Sequence, residues 1–285
     1  MSEIADDPMV STEWLADHLD DPDIVIVDAT WFMPGTPRDA RAEHAERHIP
    51  GAVFFDIDEI SDHANPLPHM LAEPADFAIH ARRLGVEPNS TVVVYDAQGL
   101  FSAPRVWWNF RVMGHDKVYV LDGGLAKWIA EAHPLEDGWP LREHGEFKAH
   151  FDANLVRSLD AVRAALDAKS GQLLDARAAA RFTGEAAEPR AGLRSGHMPG
   201  AFNLPSASLV TADGRLADRD ELQRLFAGSG VNLDGPIVTT CGSGVSAAIL
   251  ALGLARLGHW QVPVYDGSWT EWGGRADTPV VTGAA

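Results

Sequence analysis

Cys241 is the one cysteine among 285 residues, and its neighbours are those that a reactive thiol needs. Before it stands the apolar, β-branched run Ile237–Thr240, which reads as a buried strand. After it come Gly242-Ser243-Gly244 and a helical run from Val245 to Leu257. Two glycines let the backbone curl so that successive N–H groups point inward as a nest. The N-terminus of the helix beyond adds a positive partial charge. Both features favour a thiolate over a thiol, and Cys241 therefore reads as a nucleophile. A lone cysteine is more commonly an inert buried hydrophobe; the strand-end position before a glycine-rich turn argues for the reactive role. One thiol makes no internal disulfide, and there is no cysteine cluster for a structural zinc.

Composition bounds the setting. The apolar fraction of 46% and charged fraction of 22% are those of an ordinary globular chain. At about 150 residues per domain, the length predicts two domains. The formal net charge of −18 repels phosphate backbones and anionic lipid, so nucleic acid and membrane surfaces are excluded as partners. An anionic substrate would need a local basic patch. The opening MSEIADDPMV is acidic, with no basic region leading into an apolar stretch. No apolar segment approaches the roughly 20 residues that span a bilayer. The expectation is a soluble, cytoplasmic protein.

The chain also repeats itself. IVIVDAT (Ile24–Thr30), HIPGA (His48–Ala52), TVVVYDA (Thr91–Ala97) and VYVLDGGLAKW (Val118–Trp128) are answered in the same order. Their counterparts are QLLDAR (Gln172–Arg177), HMPGA (His197–Ala201), PIVTTCG (Pro236–Gly242) and VPVYDGSWTEW (Val262–Trp272). Strand runs at Ile24–Asp28, Thr91–Tyr95, Val118–Leu121, Leu173–Asp175, Ile237–Thr240 and Val262–Tyr265 lack polar alternation, as strands buried on both faces do. Helices intervene, with Ser11, Ser158 and Asp218 as N-caps. This predicts an α/β fold of two tandem domains, each a central parallel sheet flanked by helices. The domains are placed at 1–140 and 153–285, with Pro134–Asp152, rich in Gly, Pro and charge, as the link.

The repeat helps weigh two other chemistries. A cysteine-dependent phosphatase needs an arginine six residues after its cysteine, and Ala247 stands there. The segment Gly242-x-Gly244-x-x-Ala247, with Asp266 farther on, looks like a dinucleotide fingerprint. Repeat one lacks that fingerprint yet keeps Asp122 where repeat two has Asp266. An acid shared by both halves serves the fold better than a ribose, so NAD binding ranks behind the nucleophile.

In these residues the chain resembles the tandem-domain rhodanese family, whose catalytic cysteine lies only in the second domain. The loop Cys241-Gly242-Ser243-Gly244-Val245-Ser246 is similar to that of the 3-mercaptopyruvate sulfurtransferases, with Ser246 replacing a threonine. It lacks the basic residues that suit a thiosulfate dianion. The resemblance implies an active site at the cleft between domains and a covalent persulfide on Cys241, with no metal or organic cofactor. It implies substrate contacts from Gly242, Gly244, Val245, Ser246 and Ala247, and arginines 181 and 190 holding the substrate's carboxylate and keto oxygens. Physically, an α-keto carboxylate suits bidentate guanidinium donors. His69 and Asp58 match family positions that reach the cleft from the first domain and form a relay with Ser243. Asp96, at the place of the cysteine in repeat one, cannot carry sulfur, so the first domain is expected to be structural.

The expected activity is transfer of sulfur from a small-molecule donor, 3-mercaptopyruvate, through Cys241 to cyanide or a thiol acceptor such as thioredoxin. Two alternatives stay open. One is a thiosulfate:cyanide sulfurtransferase; the other is a non-catalytic persulfide carrier, for which a keto-acid clamp at Arg181 and Arg190 would be superfluous.

Overall fold

The runs Ile24–Asp28 and Thr91–Tyr95 bury nearly every side chain, alternate positions included. Only a sheet covered on both faces accommodates that pattern. The computed structural model describes residues 7–284, and the chain divides into two compact units. Unit 1 takes the chain up to Asp62, then Leu71–Asp152 and Thr211–Leu216; unit 2 takes His63–Met70, Ala153–Val210 and the chain from Ala217 on.

Unit 1 carries β1 (Met9–Val10), β2 (Ile24–Asp28), β3 (Val53–Phe54), β4 (Thr91–Tyr95) and β5 (Val118–Leu121), in the order β1-β5-β4-β2-β3. Unit 2 carries β6 (Val156–Arg157), β7 (Gln172–Asp175), β8 (Phe202–Asn203), β9 (Ile237–Thr240) and β10 (Val264–Tyr265), in the order β6-β10-β9-β7-β8. All neighbouring strands are parallel. The two orders are the same, so the sequence repeat is a repeat of topology. In each sheet the connections change direction between two central strands, β2 and β4 or β7 and β9. The crevice beyond the carboxyl ends of such strands is where α/β sheets bind ligands. Asp96 follows β4 and Cys241 follows β9.

The expected N-caps are present. Trp14 N–H donates to Ser11 Oγ (3.0 Å), Ala161 N–H to Ser158 Oγ (3.3 Å) and Glu221 N–H to Asp218 Oδ1 (2.8 Å), each satisfying an otherwise orphaned amide of a first turn. The paired HIPGA and HMPGA segments make turns. His48 and His197 form antiparallel bridges to Glu136 and Val281, and their Nδ1 atoms lie 2.7 and 2.8 Å from the His44 and Phe182 carbonyls. Both histidines serve the fold.

The stretch Pro134–Asp152, expected to join the halves, is strapped onto unit 1 for much of its length. Gly145, Phe147, His150 and Asp152 donate their N–H groups to Arg82 O, Val86 O, Met113 O and Val112 O. The Phe147 ring packs edge-on against Phe77 and Phe110. Glycine, proline and charge there mark irregular backbone, which is a different property from freedom. Among the described residues no helix is long and apolar enough to cross a membrane.

Asp96 shows what the loop after a central strand holds. Its carboxylate is fully buried. Oδ1 accepts from Gln98 N–H at 2.8 Å, and Oδ2 accepts from the N–H groups of Phe101, Ser102 and Ala103 at 2.8, 2.9 and 2.9 Å. Four amides thus converge on one anion at the start of helix Ala103–Val112. Burial raises the Asp96 pKa above the ordinary carboxylate value, and the four amides oppose that rise. Asp96→Ala, which strands these donors in the interior, is expected to cost about 3 kcal/mol in urea denaturation. An unchanged midpoint would mean that water replaces the carboxylate at no cost.

Candidate active site

β9 ends at Thr240 and delivers Cys241 to the carboxyl edge of the unit 2 sheet. The residue is 1% exposed. Its loop is built like the one that holds Asp96, with a left-handed glycine three residues on in each: Gly99 at φ +91° and Gly244 at φ +79°. The Cys241 loop reaches its helix, Ala247–Arg256, one residue sooner. That helix buries Ala247 through Ala255 without interruption, which anchors the loop's far end. Its near end is fixed by Trp269 N–H, which donates to Cys241 O at 2.9 Å. Ser243, Gly244, Val245 and Ala247 are buried; Gly242 and Ser246 are partly exposed.

A line of alternating charge runs from the sheet to this loop. Asp175, the last residue of β7, accepts from Arg177 Nε (2.9 Å) and Nη2 (2.6 Å) on Oδ2. Arg177 Nη1 donates to Glu188 Oε1 at 2.8 Å, and its guanidinium lies 4.1 Å from the Trp269 ring centroid. Glu188 in turn accepts from Arg181, through Nη2 on Oε2 (2.5 Å) and Nε on Oε1 (3.2 Å). Arg181 Nη2 would lie 3.1 Å from a Cβ placed on Gly242. The guanidinium is therefore held directly against the residue that follows Cys241. Burial by itself lowers the Arg177 pKa, but Asp175 and Glu188 more than reverse this and raise it. The Arg177 and Glu188 side chains are 0% and 1% exposed, whereas Arg181 is 25% exposed and accessible to a ligand.

The other expected residues fall in both units. Arg190 Nη2 lies 3.4 Å from His69 Nε2. His69 sits in the left-handed region at φ +59°, is 7% exposed and belongs to the segment His63–Met70, which groups with unit 2 despite preceding most of unit 1 in sequence. Asp58 belongs to unit 1, is exposed and accepts from Trp31 Nε1 at 2.8 Å.

Sequence reasoning gave no role to Glu188 or Arg177. Glu188 was visible as the acid two residues before Arg190, between two arginines in a strongly acidic chain. Nothing in its spacing revealed that it would be buried and shared. Arg177 takes the place two residues beyond a strand-end aspartate where unit 1 has Thr30, whose N–H donates to Asp28 Oδ1 at 3.0 Å.

The family of rhodanese-like domains matches residues 11–131 and again 158–275, and the chain belongs to it as a two-domain member. It is 49% identical over 272 residues to the 3-mercaptopyruvate sulfurtransferase of Escherichia coli strain K12, covering 95% of this chain and 96% of that protein. It is 43% identical over 275 residues to the thiosulfate sulfurtransferase of Bos taurus, covering 94% and 92%. The crystal structure of an Escherichia coli protein described among the 3-mercaptopyruvate sulfotransferases matches with a TM-score of 0.85 at 46% identity, covering 92% of this chain and 99% of that one.

Glu188→Gln keeps the shape of the shared side chain and removes the charge that two arginines need. It is expected to lower stability by about 3 kcal/mol in urea denaturation, as breaking a buried ion pair does. A variant as stable as the parent would mean that Arg177 and Arg181 are held by packing and Asp175 alone.

Proposed function

We propose that the chain moves the sulfur of 3-mercaptopyruvate onto Cys241 and from there to cyanide or a thiol acceptor, releasing pyruvate. The observation that carries the reading is the exchange of one residue between two like loops. Where unit 1 buries a carboxylate on four amides, unit 2 has the only thiol of the chain, with a partly exposed guanidinium at the next residue.

The Cys241 thiolate attacks the substrate sulfur. An S–S bond forms and the C–S bond breaks, and its electron pair goes to C3 as the enolate of pyruvate. The proton of the substrate thiol ends on that carbon, and Ser243 with His69 carries it, with Asp58 as the third member of the relay. Arg181 and Arg190 hold the carboxylate and the oxygen on which enolate charge develops. Amides from Gly242, Gly244, Val245, Ser246 and Ala247 stabilise first the thiolate and then the persulfide. Cyanide removes the outer sulfur as thiocyanate, or a thiol such as that of thioredoxin removes it, and either restores the thiolate. The covalent persulfide is the only carrier that this scheme needs, so no metal or organic cofactor enters it. The acceptor and a cytoplasmic site of action belong to the same proposal.

Support for mercaptopyruvate over thiosulfate comes from the loop itself. Gly242 to Ala247 contain no basic residue, and an α-keto carboxylate suits the two guanidinium donors proposed to hold it. Thiocyanate formation measured with each donor at matched concentration tests this. Mercaptopyruvate is expected to be preferred, and Cys241→Ser is expected to fall to background with either donor. A preference for thiosulfate would overturn the donor assignment. Parent activity with neither donor would leave a persulfide carrier, and a Cys241→Ser variant that turns over would remove the nucleophile.

A further inference from the structure

The two units differ where the chain leaves β5 and β10. After β5 comes Asp122-Gly123-Gly124-Leu125-Ala126; after β10 comes Asp266-Gly267-Ser268-Trp269-Thr270. The third residue is left-handed in both, Gly124 at φ +55° and Ser268 at φ +48°. Glycine takes that conformation freely, whereas a side chain makes it costly. Retaining serine there calls for a return, and the hydrogen bonds show one.

Ser268 is fully buried and its hydroxyl is fully used. It accepts from Cys241 N–H (3.2 Å) and Thr240 Oγ1 (3.3 Å), and donates to Tyr265 O (2.8 Å). Two residues on, Thr270 donates to Gly242 O from both its N–H (2.8 Å) and its Oγ1 (2.6 Å). Between them, Trp269 N–H binds Cys241 O at 2.9 Å, as Leu125 N–H binds Asp96 O at 3.1 Å in unit 1. The main-chain contact is thus common to both units. The two hydroxyls are peculiar to the unit that bears the cysteine, since Gly124 and Ala126 have none.

We infer that Ser268 and Thr270 are positioning residues for Cys241, setting the peptide planes on either side of it. A trans peptide points its N–H and C=O in opposite directions. With Cys241 N–H turned onto Ser268, Thr240 O faces the neighbouring strand side, where it accepts from Ala176 N–H at 2.8 Å. With Gly242 O held by Thr270, the N–H of Ser243 turns away from helix Ser268–Trp272. Cys241 therefore leaves the sheet in one orientation, and the amides after it keep theirs. The catalytic part of this inference rests on the sulfur-transfer reading; the geometric part does not.

The test gives unit 2 the residues that unit 1 already uses: Ser268→Gly, Thr270→Ala and the double variant, with Thr270→Ser as the conservative control. Ser268→Gly relieves the left-handed conformation but takes a partner from Cys241 N–H and Thr240 Oγ1, two opposed effects, so its thermal midpoint is expected to stay within about 5 °C of the parent's. In the double variant kcat for mercaptopyruvate is expected to fall about 10- to 100-fold with KM changed less than about twofold, while Thr270→Ser keeps the parent kcat. Iodoacetamide alkylation, which reports on Cys241 alone because no other cysteine exists, is expected to slow about tenfold at fixed pH in the double variant, a loss of thiolate orientation of similar origin. Parent-like kcat and alkylation in the double variant would overturn the inference. So would a loss of activity that only follows a lowered midpoint while alkylation stays at the parent rate. Where the parent itself turns over neither donor, the sulfur-transfer reading fails and the alkylation comparison alone decides this one.

Discussion

A negative charge buried at the end of a parallel strand must be met by donors that are already in place, because water is absent and side chains are costly to order there. Unit 1 of this chain solves that problem with backbone. Unit 1 shows the solution filled, with the Asp96 carboxylate on four amides at a helix start. Unit 2 has the corresponding loop, a left-handed glycine at the same step and a thiol in place of the carboxylate. A carboxylate cannot accept sulfur, so in the proposed function the same scaffold is a structural plug in one unit and a nucleophile's seat in the other.

The second constraint is charge in a chain of net −18. The global field does not draw in a substrate anion, and in the proposed function the remedy is local. Arg181 is exposed enough to reach a ligand, but a lone guanidinium there would be loosely placed. The buried sequence Asp175–Arg177–Glu188 fixes it from behind, from the end of β7 to the edge of Gly242. Glu188 sets orientation at the expense of part of the positive charge. In the proposed function this favours selectivity over raw attraction, because one guanidinium edge is committed to Glu188 and the remainder must match its ligand geometrically.

Much of this was legible in the sequence, for identifiable reasons. The valine-rich runs at Ile24–Asp28 and Thr91–Tyr95 are long and apolar on both faces, and they emerge with the expected bounds. The strands β1, β3, β6 and β8 have two residues each, too few for any periodicity. Cys241 could be picked out because its type is unique and its flanks are a strand and a glycine turn. Glu188 could not, since a buried shared carboxylate looks in sequence like any loop acid. Ser268 left a trace that only the repeat reveals: a serine where the other half has Gly124. The grouping of His63–Met70 with unit 2, and of Thr211–Leu216 with unit 1, is long-range packing that no local pattern encodes.

In the proposed function Cys241 takes sulfur from 3-mercaptopyruvate, and intact-protein mass spectrometry tests this without any assumption about the acceptor. The protein is mixed with one equivalent of mercaptopyruvate, no cyanide or thiol is added, and released pyruvate is measured in the same sample. A mass gain of one sulfur atom is expected, localised to the Cys241 peptide and matched by one pyruvate, with no gain in Cys241→Ser. Pyruvate released without a sulfur adduct, or an adduct that persists in Cys241→Ser, would contradict it.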